Sequence, residues 1–578
     1  MKPPRSADAT PGEAFCAKGL EGAAVMQIDD RPVLRWLDEP DPERGLHFAG
    51  PGDQWDRWSY PDLAELTLRV TAGLAARGLG RAAVIAVIQR SSPGFVSTYF
   101  GAIAAGMTAC SIPPPFAVQR AEQYADKVTH LLDTARPALI VCDDESLERV
   151  RPIAAGLALP EPVAFDELVA GLAPAPGPAA PAEMAMLQFT SGSSGYSRGV
   201  WIPNTALQAN VTGMRRWLDW PDERSVISWL PVHHDMGLVG ALINIVVSRS
   251  NGWLMQPDDF IRSPLRYLAC MSAQRVSMSV MPNFGMAYIL RRVRPAMLEG
   301  MRFDALRSVI LGAERNDPHI LTAFHELLAP FGFERRMLRP AYGGAEATLA
   351  VTGLPMDEEW TTATPARPEG GPDEGPGEPI VGCGRPLEGV KLAVVDDDGL
   401  PVPEGHIGEI VVSGPSLAAG YSGDPGTASG TSLGDGTLRT GDAAFLRDGQ
   451  LFVLGRLGDG LKIRGMMVFA ESLEARLTER GIPERRGAIL LGVRDGVPTA
   501  VAVLDTPKPG WSEAASEVLR EAVGEEAEAH IVPVRRGGVA VTSSGKPRRR
   551  VMWRDFCTGA LTDRVGDDDE RDDSRRRP

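Results

Sequence analysis

Short, wholly apolar runs alternate with amphipathic stretches along most of the chain. AAVIAVI (82–88), ALIVC (138–142), MLQF (186–189), VISWL (226–230) and SVIL (308–311) predict buried strands. DLAELTLRVTAGLAARG (62–78) predicts a helix with Leu63, Leu66, Val70 and Leu74 on one face. NTALQANVTGMRRWL (204–218) predicts another, aligning Leu207, Val211, Met214 and Leu218. Apolar strands alternating with helices imply parallel sheets covered by helices. From about residue 390 the texture changes. KLAVVDDDGLPVPEGHIGEIVVSG carries short strands and turn signals, as in a small antiparallel or barrel-like unit. After Gly455, the helix ESLEARLTER and the strand AILLGV predict a compact α/β segment. No internal repeat is evident.

Composition narrows the classes. A chain of 578 residues is too long for one core, so two or more domains are expected. The net charge of -15 argues against DNA or RNA as the main partner. It leaves room for a small nucleotide, because a local cluster can oppose the global sign. The six cysteines (Cys16, Cys110, Cys142, Cys270, Cys383, Cys557) are scattered and form no CxxC pair, which suits a reducing compartment without a zinc site. No run is apolar enough to span a membrane, and MKPPRSADATPGEAF lacks a signal-peptide core, so a cytoplasmic location is expected. Residues 1–20 and the charge run from Gly566 read as disordered. GLAPAPGPAAPAE (171–183) reads as a linker or surface loop, and ATPARPEGGPDEGPGEP (363–379) as an exposed insertion.

One small-residue segment, FTSGSSGYSRGV (189–200), ends a predicted strand and comes shortly before a predicted helix. Glycines there let backbone N–H groups approach phosphate oxygens, and the hydroxyls add donors. It does not fit GxxxxGK(S/T), and composition alone also allows a plain surface turn.

FTSGSSGYSRGV resembles the (Y/F)TSG(S/T)TGxPKGV signature of the adenylate-forming superfamily, which includes acyl-CoA synthetases, adenylation domains, luciferases and fatty acyl-AMP ligases. Further segments are similar in the same order. SWLPVHHDMGLVG (228–240), LMQPDDFIRSPLRYL (254–268) and MPNFGMAY (281–288) look like the fatty acyl-AMP ligase branch. LGAE (311–314), AYGGAEATLAVTG (341–353), VGCGRP (381–386), GEIVVSGPSLAAGY (408–421), RTGD (439–442), GRLGDGLKIRG (455–465) and TSSGKPRRR (542–550) complete the series. The resemblance spans roughly residues 60 to 555.

It implies two doubly wound α/β subdomains plus a small β-barrel-like subdomain, then a small mobile α+β domain. The expected division is 21–458 for the core and 459–556 for the mobile domain, flanked by a disordered N-terminus (1–20) and tail (557–578). The implied reaction joins a carboxylic acid to ATP with Mg2+, giving acyl-AMP and pyrophosphate. Lys546 would reach the α-phosphate and the substrate carboxylate, although KPRRR alone also reads as solvated charge. Glu346 would hold the Mg2+. Thr190, Ser191, Gly192, Ser193, Ser194, Gly195 and Arg198 would cradle phosphate. Gly312, Ala313, Glu314, Tyr342, Gly343, Gly344 and Ala345 would face adenine or the α-phosphate, and Asp442 and Arg456 the ribose. His234 would flank the reacting carboxylate, with Met236, Gly237, Asn283 and Phe284 along the acyl chain. A metal role for the His233–His234 pair finds no third ligand at a useful spacing. Asp459 would be the hinge, loosened by Gly458 and Gly460.

Four positions depart from the pattern. Arg198 stands for the loop lysine and Ser197 for the proline before it, which suggests a looser loop; lysine at 198 is expected to preserve activity. Asn204 replaces a histidine, and Ala470 a proline after the hinge. The resemblance leaves the acceptor open between CoA, an acyl carrier protein and a partner acyl-transferring enzyme. Segment 363–379 looks shorter than the acyl-AMP ligase insertion, and Lys462 is more like the CoA-synthetase form. The acid is expected to be fatty, or bulky and polycyclic or aryl. A degenerate member that binds nucleotide without turnover is the alternative of another class.

Overall fold

The computed structural model describes residues 33–116, 121–190, 197–220, 224–366, 379–423, 431–463, 466–494, 497–524, 527–541 and 546–561. Two large sheets build the N-terminal part. In the first, Leu338–Gly343, Ser308–Leu311, Met278–Met281, Ser225–Ser228, Asn251–Leu254 and Gly45–Ala49 run parallel, in that order. Antiparallel strands extend both edges, Ala350–Gly353 and Arg385–Pro386 at one and Trp55–Ser59 at the other. In the second, Met184–Phe189, Thr108–Ser111, Val84–Ile88, Leu139–Cys142 and Val163–Ala164 are parallel neighbours.

Period-two alternation decides which core each strand residue enters. Ile85 and Val87 join the large core that also holds Leu46, Val226 and Val309. Val84, Ala86 and Ile88 point the other way, onto Val128 and Leu132 of the helix Ala121–Ala135. Ile85, Val87 and Ile88, wholly removed from water, contribute about 1.5–3 kcal/mol each. Both faces of the strand are therefore covered, which is why its sequence is apolar throughout.

Local chemistry shifts two predicted boundaries. The helix expected from 62 begins at Tyr60, because Ser59 and Asp62 form a reciprocal capping box and proline stands in the first turn. The strand expected over 226–230 ends at Ser228. Ser228 Oγ accepts from the Leu230 N–H at 3.2 Å, and Trp229 stacks on Phe260 with ring centroids 4.1 Å apart. These contacts turn the chain out of the sheet while keeping it buried.

The small-residue loop joins two strands rather than a strand and a helix. Met184–Phe189 pairs antiparallel with Gly199–Pro203, which pairs in turn with Gly420–Ser422. The run GVWIP is β-branched and aromatic enough to extend, and the helix Asn204–Trp217 starts only after Pro203.

The barrel-like unit is, among the described residues, an antiparallel sheet of five strands: Lys391–Val395, Gly408–Ser413, Thr437–Arg447, Ser432–Gly434 and Gln450–Arg456. The C-terminal part is a three-stranded sheet, Gly487–Arg494, Val497–Asp505 and Glu528–Val534. Ile489 and Leu491 face the helices Ala470–Glu479 and Trp511–Val523, whereas Ala488 and Leu490 face Arg549–Cys557. That last helix runs past residue 556, and Leu561 is buried beneath it. No helix among the described residues is long and apolar enough to cross a membrane.

Candidate active site

Parallel strands end together, and the loops beyond their C-terminal ends make a crevice. Asn283 follows Met278–Met281, Gly312 to Glu314 follow Ser308–Leu311, and Gly344 to Glu346 follow Leu338–Gly343. These residues, with Thr190, Arg198, His234, Met236, Asp442, Arg456, Asp459 and Lys546, line one cavity of about 450 Å³. Its floor requires glycine at 343, where a Cβ would lie 1.7 Å from the Leu349 carbonyl oxygen.

Arg198 holds one wall. Its Nη2 donates to Glu346 Oε1 at 3.2 Å and to the Tyr421 hydroxyl at 3.0 Å. Its guanidinium also stacks 3.9 Å from the Tyr421 ring centroid. Tyr421 donates to the same Glu346 oxygen at 3.0 Å. Burial, then the Glu346 carboxylate, push the Tyr421 hydroxyl up, so it remains a donor. Arg198 Nη1 is buried and, among the described residues, has no hydrogen-bond partner. The base of the loop is tied by Thr190 N–H to Arg198 O (2.9 Å) and Arg198 N–H to Thr190 Oγ1 (3.1 Å). Ser191 to Gly195 lie outside the described residues, as does the Lys462 side chain.

The second wall is built on strand register. Asp442 and Arg456 are direct partners on neighbouring strands. Arg456 Nε lies 2.8 Å from Asp442 Oδ1, and the Tyr342 hydroxyl donates to Asp442 Oδ2 at 2.5 Å. Arg456 Nη1 donates to Thr431 Oγ1 and to the Thr440 carbonyl, both at 2.9 Å. Burial first, then Asp442, push the Tyr342 hydroxyl well up. Both Asp442 oxygens are thus engaged by the protein; a carboxylate keeps further lone pairs for a ligand.

Lys546 closes the cavity. Burial lowers its pKa, and the carboxylates of Glu314, Asp235 and Asp442 oppose that shift. Glu314 accepts from the Phe284 N–H at 2.5 Å, and burial raises its pKa. His234 Nδ1 lies 2.7 Å from Asp235 Oδ1, while its Nε2 is buried and has no hydrogen-bond partner among the described residues. Burial pushes the Asp235 carboxyl up, but the His234 ring and the Met236 N–H together outweigh it and hold the pKa below its usual value. His233 is buried against Phe116, and burial drives its pKa well down. Among the described residues no group of three or more His, Cys, Asp or Glu is gathered for a metal ion.

Two residues of the expected acyl set do not line the cavity. Gly237 instead packs on the Pro231 carbonyl, where a Cβ would lie 2.3 Å away. Phe284 is covered by Arg485, whose guanidinium lies 3.4 Å from its ring centroid. Asn283 does line it, and its Oδ1 accepts from the Asp317 N–H at 3.0 Å. Neither Gly458 nor Gly460 takes a positive φ, so the turn at Asp459 does not use glycine's freedom in this orientation. Asn204 donates from Nδ2 to the Ala182 carbonyl, and Ala470 is buried at its helix start.

Sequence reasoning overlooked Tyr421, Asp235 and Arg549. The first ends the quoted GEIVVSGPSLAAGY and the last lies in KPRRR, so the motifs held them without revealing their partners.

The family model described as AMP-binding enzyme matches residues 30–422. A putative acyl-CoA synthetase of Caulobacter vibrioides is 27% identical over 568 residues, covering 92% of this chain and 98% of that one. A long-chain-fatty-acid–AMP ligase of Mycobacterium tuberculosis is 29% identical over 510 residues, covering 80% and 85%. Among solved structures, a chain from work on fatty acyl-adenylate ligases of E. coli and L. pneumophila has a TM-score of 0.82 and 26% identity, covering 93% of this chain and 100% of that one. With the strand-end crevice, the Arg198–Glu346 pair and Lys546 already in place, these matches give one conclusion: the chain belongs to the family of AMP-binding enzymes.

Proposed function

We propose that the protein joins a carboxylic acid to the α-phosphate of ATP, forming an acyl-adenylate and releasing pyrophosphate. One observation carries this reading: Lys546, from the C-terminal domain, lines the same cavity as Arg198, Glu346, Asp442 and Arg456. A carboxylate oxygen attacks phosphorus, and the bond to pyrophosphate breaks as the mixed anhydride forms. No proton has to move. The work is therefore alignment of two anions and compensation of charge.

Lys546 meets the carboxylate and the α-phosphate, and Arg198 offers its buried, unpartnered Nη1 to the outer phosphates. Asp442, braced by Tyr342 and Arg456, accepts from the ribose hydroxyls. His234 lines the cavity and flanks the acid's carboxylate, its ring oriented through Nδ1 by Asp235. A magnesium ion fits at Glu346, because Mg2+ takes few carboxylates plus phosphates and waters and Arg198 and Tyr421 engage only Oε1. Bound there, it would neutralise phosphate charge. Met214, Trp217, Met236, Val280 and Ile310 give the cavity an apolar side that suits a fatty or bulky hydrophobic acid. Dependence on ATP and the unpaired described cysteines support a cytoplasmic location.

The onward acceptor is an acyl carrier protein or CoA. A relative from Moorena producens, 29% identical over 501 residues, is a medium-chain-fatty-acid–acyl-carrier-protein ligase, which favours the carrier protein. The test is acid-dependent ATP–pyrophosphate exchange with a panel of acids, then mass spectrometry of products with CoA and with carrier protein. Acyl-AMP and acyl-carrier formation without acyl-CoA supports the reading. A CoA thioester makes the protein a full acyl-CoA synthetase. Tight nucleotide binding with no acid-dependent exchange makes it a binding protein and overturns the reading.

A further inference from the structure

The segment that carries Lys546 holds a second buried cation. Arg549, 8% exposed, opens the helix Arg549–Cys557 three residues after the lysine. Its Nη1 donates to Asp459 Oδ2 at 3.1 Å and to Glu471 Oε1 at 2.8 Å, and its Nη2 to Glu474 Oε2 at 2.7 Å. Asp459 ends the turn that leaves the strand Gln450–Arg456. Glu471 and Glu474 share one face of the helix Ala470–Glu479. One planar guanidinium thus joins three pieces of chain: the hinge turn, the first C-terminal helix and the lysine segment.

The helix it grips also bears on the N-terminal part. A Cβ at Gly455 would lie 2.5 Å from Glu471 Oε2, so the Glu471 carboxylate rests directly on the backbone of that last strand. Arg315, in the loop after Ser308–Leu311, donates from Nη1 to Ser472 Oγ at 3.0 Å. A rotation of the C-terminal part about Asp459 would have to break the Glu471–Gly455 and Ser472–Arg315 contacts and turn Asp459 against Arg549. Three carboxylates around one guanidinium, all largely desolvated, stay favourable only while that geometry is kept.

We propose that Arg549 is a positioning residue that latches the C-terminal domain in the orientation placing Lys546 in the cavity. The latch acts through Lys546 and touches no substrate; its catalytic consequence rests on the acyl-adenylate reading.

The test uses the full chain with Cys16 and Cys557 replaced by serine and spin labels on cysteines at the exposed positions 65 and 513. Double electron–electron resonance reads the distance between the domains. The parent is expected to give one narrow distance. Arg549→Gln is expected to broaden it or add a second, with partial recovery in Arg549→Lys, and Asp459→Asn, the milder lesion, to do the same while the melting temperature stays near the parent's. In parallel, Arg549→Gln is expected to lower pyrophosphate exchange by roughly tenfold or more, the scale of one lost charge-assisted contact. It is expected to cost nothing further when Lys546 is already alanine. An unchanged distance distribution in both variants overturns the latch, as does a full additional loss in the Lys546→Ala background. Absence of exchange in the parent with every acid, beside a distance that shifts as expected, sinks the acyl-adenylate reading and leaves the latch standing.

Discussion

Replacing Arg198 tests the cavity's phosphate wall. Arg198 and Glu346 are largely buried side chains with a 3.2 Å contact. At an effective dielectric near 20, the gross Coulomb attraction at that separation is about 5 kcal/mol. Desolvation cancels most of it, and the net worth of one hydrogen bond to a charged group is about 1.5–3 kcal/mol. In the proposed complex Nη1 makes one contact of that size to the ATP phosphates, and Arg198→Ala removes it. At about 1.4 kcal/mol per tenfold, the ATP KM is expected to rise roughly 10- to 150-fold, with a smaller fall in kcat. Arg198→Lys keeps the charge, and the sequence alone suggests that it preserves activity. The structure revises that expectation. Lysine cannot stack on Tyr421 and bridge two acceptors from a planar fork, and the lost stacking is worth about 0.5–2 kcal/mol. The lysine variant is therefore expected between wild type and alanine, roughly 2- to 30-fold up in ATP KM. The assay is acid-dependent exchange as a function of ATP, with melting curves to confirm folding. An alanine variant that folds and keeps the wild-type ATP KM refutes the reasoning.

Three further outcomes are expected. Lys546→Ala should lower the exchange rate by about 10²–10³, the scale of one removed electrostatic donor of about 2.7–4 kcal/mol, with little change in melting temperature; wild-type exchange in this variant would remove Lys546 from the chemistry. Asp442→Asn should weaken nucleotide binding by calorimetry and lower the melting temperature, because the half-buried Arg456 loses its ionic partner; unchanged values of both would contradict the proposed ribose contact. Glu484 gives a pH dependence: burial first, and then the neighbouring Glu314, raise its carboxyl to about 7. The folded state therefore holds that proton more tightly than the unfolded chain, and its contribution to stability falls as pH rises from about 4.5 to 7. Glu484→Gln should flatten the decline in melting temperature between pH 5 and pH 8, and a decline as steep as wild type would exclude Glu484 as its source.

The sequence by itself carried the strands whose both faces are apolar, because burial on two sides writes itself as an unbroken run. Ser308–Leu311 coincides with the predicted SVIL, and Val84–Ile88 lies within AAVIAVI. It also carried the ordered motifs from which the family resemblance is read. It did not carry the strand Gly199–Pro203, which pairs with Met184–Phe189 across the small-residue loop and, on its other edge, with Gly420–Ser422 more than two hundred residues away. Nor could it join Arg198 to Tyr421, Tyr342 to Asp442, or Arg549 to Asp459, each a contact between distant parts of the chain. KPRRR reads as surface charge until the fold buries Arg549 among three carboxylates. The family resemblance of the ordered motifs implied the chemistry. Only the packing of sheets and the seating of the C-terminal domain decided which charges meet, because hydrogen bonds and ion pairs depend on separations of a few ångströms that sequence distance does not encode.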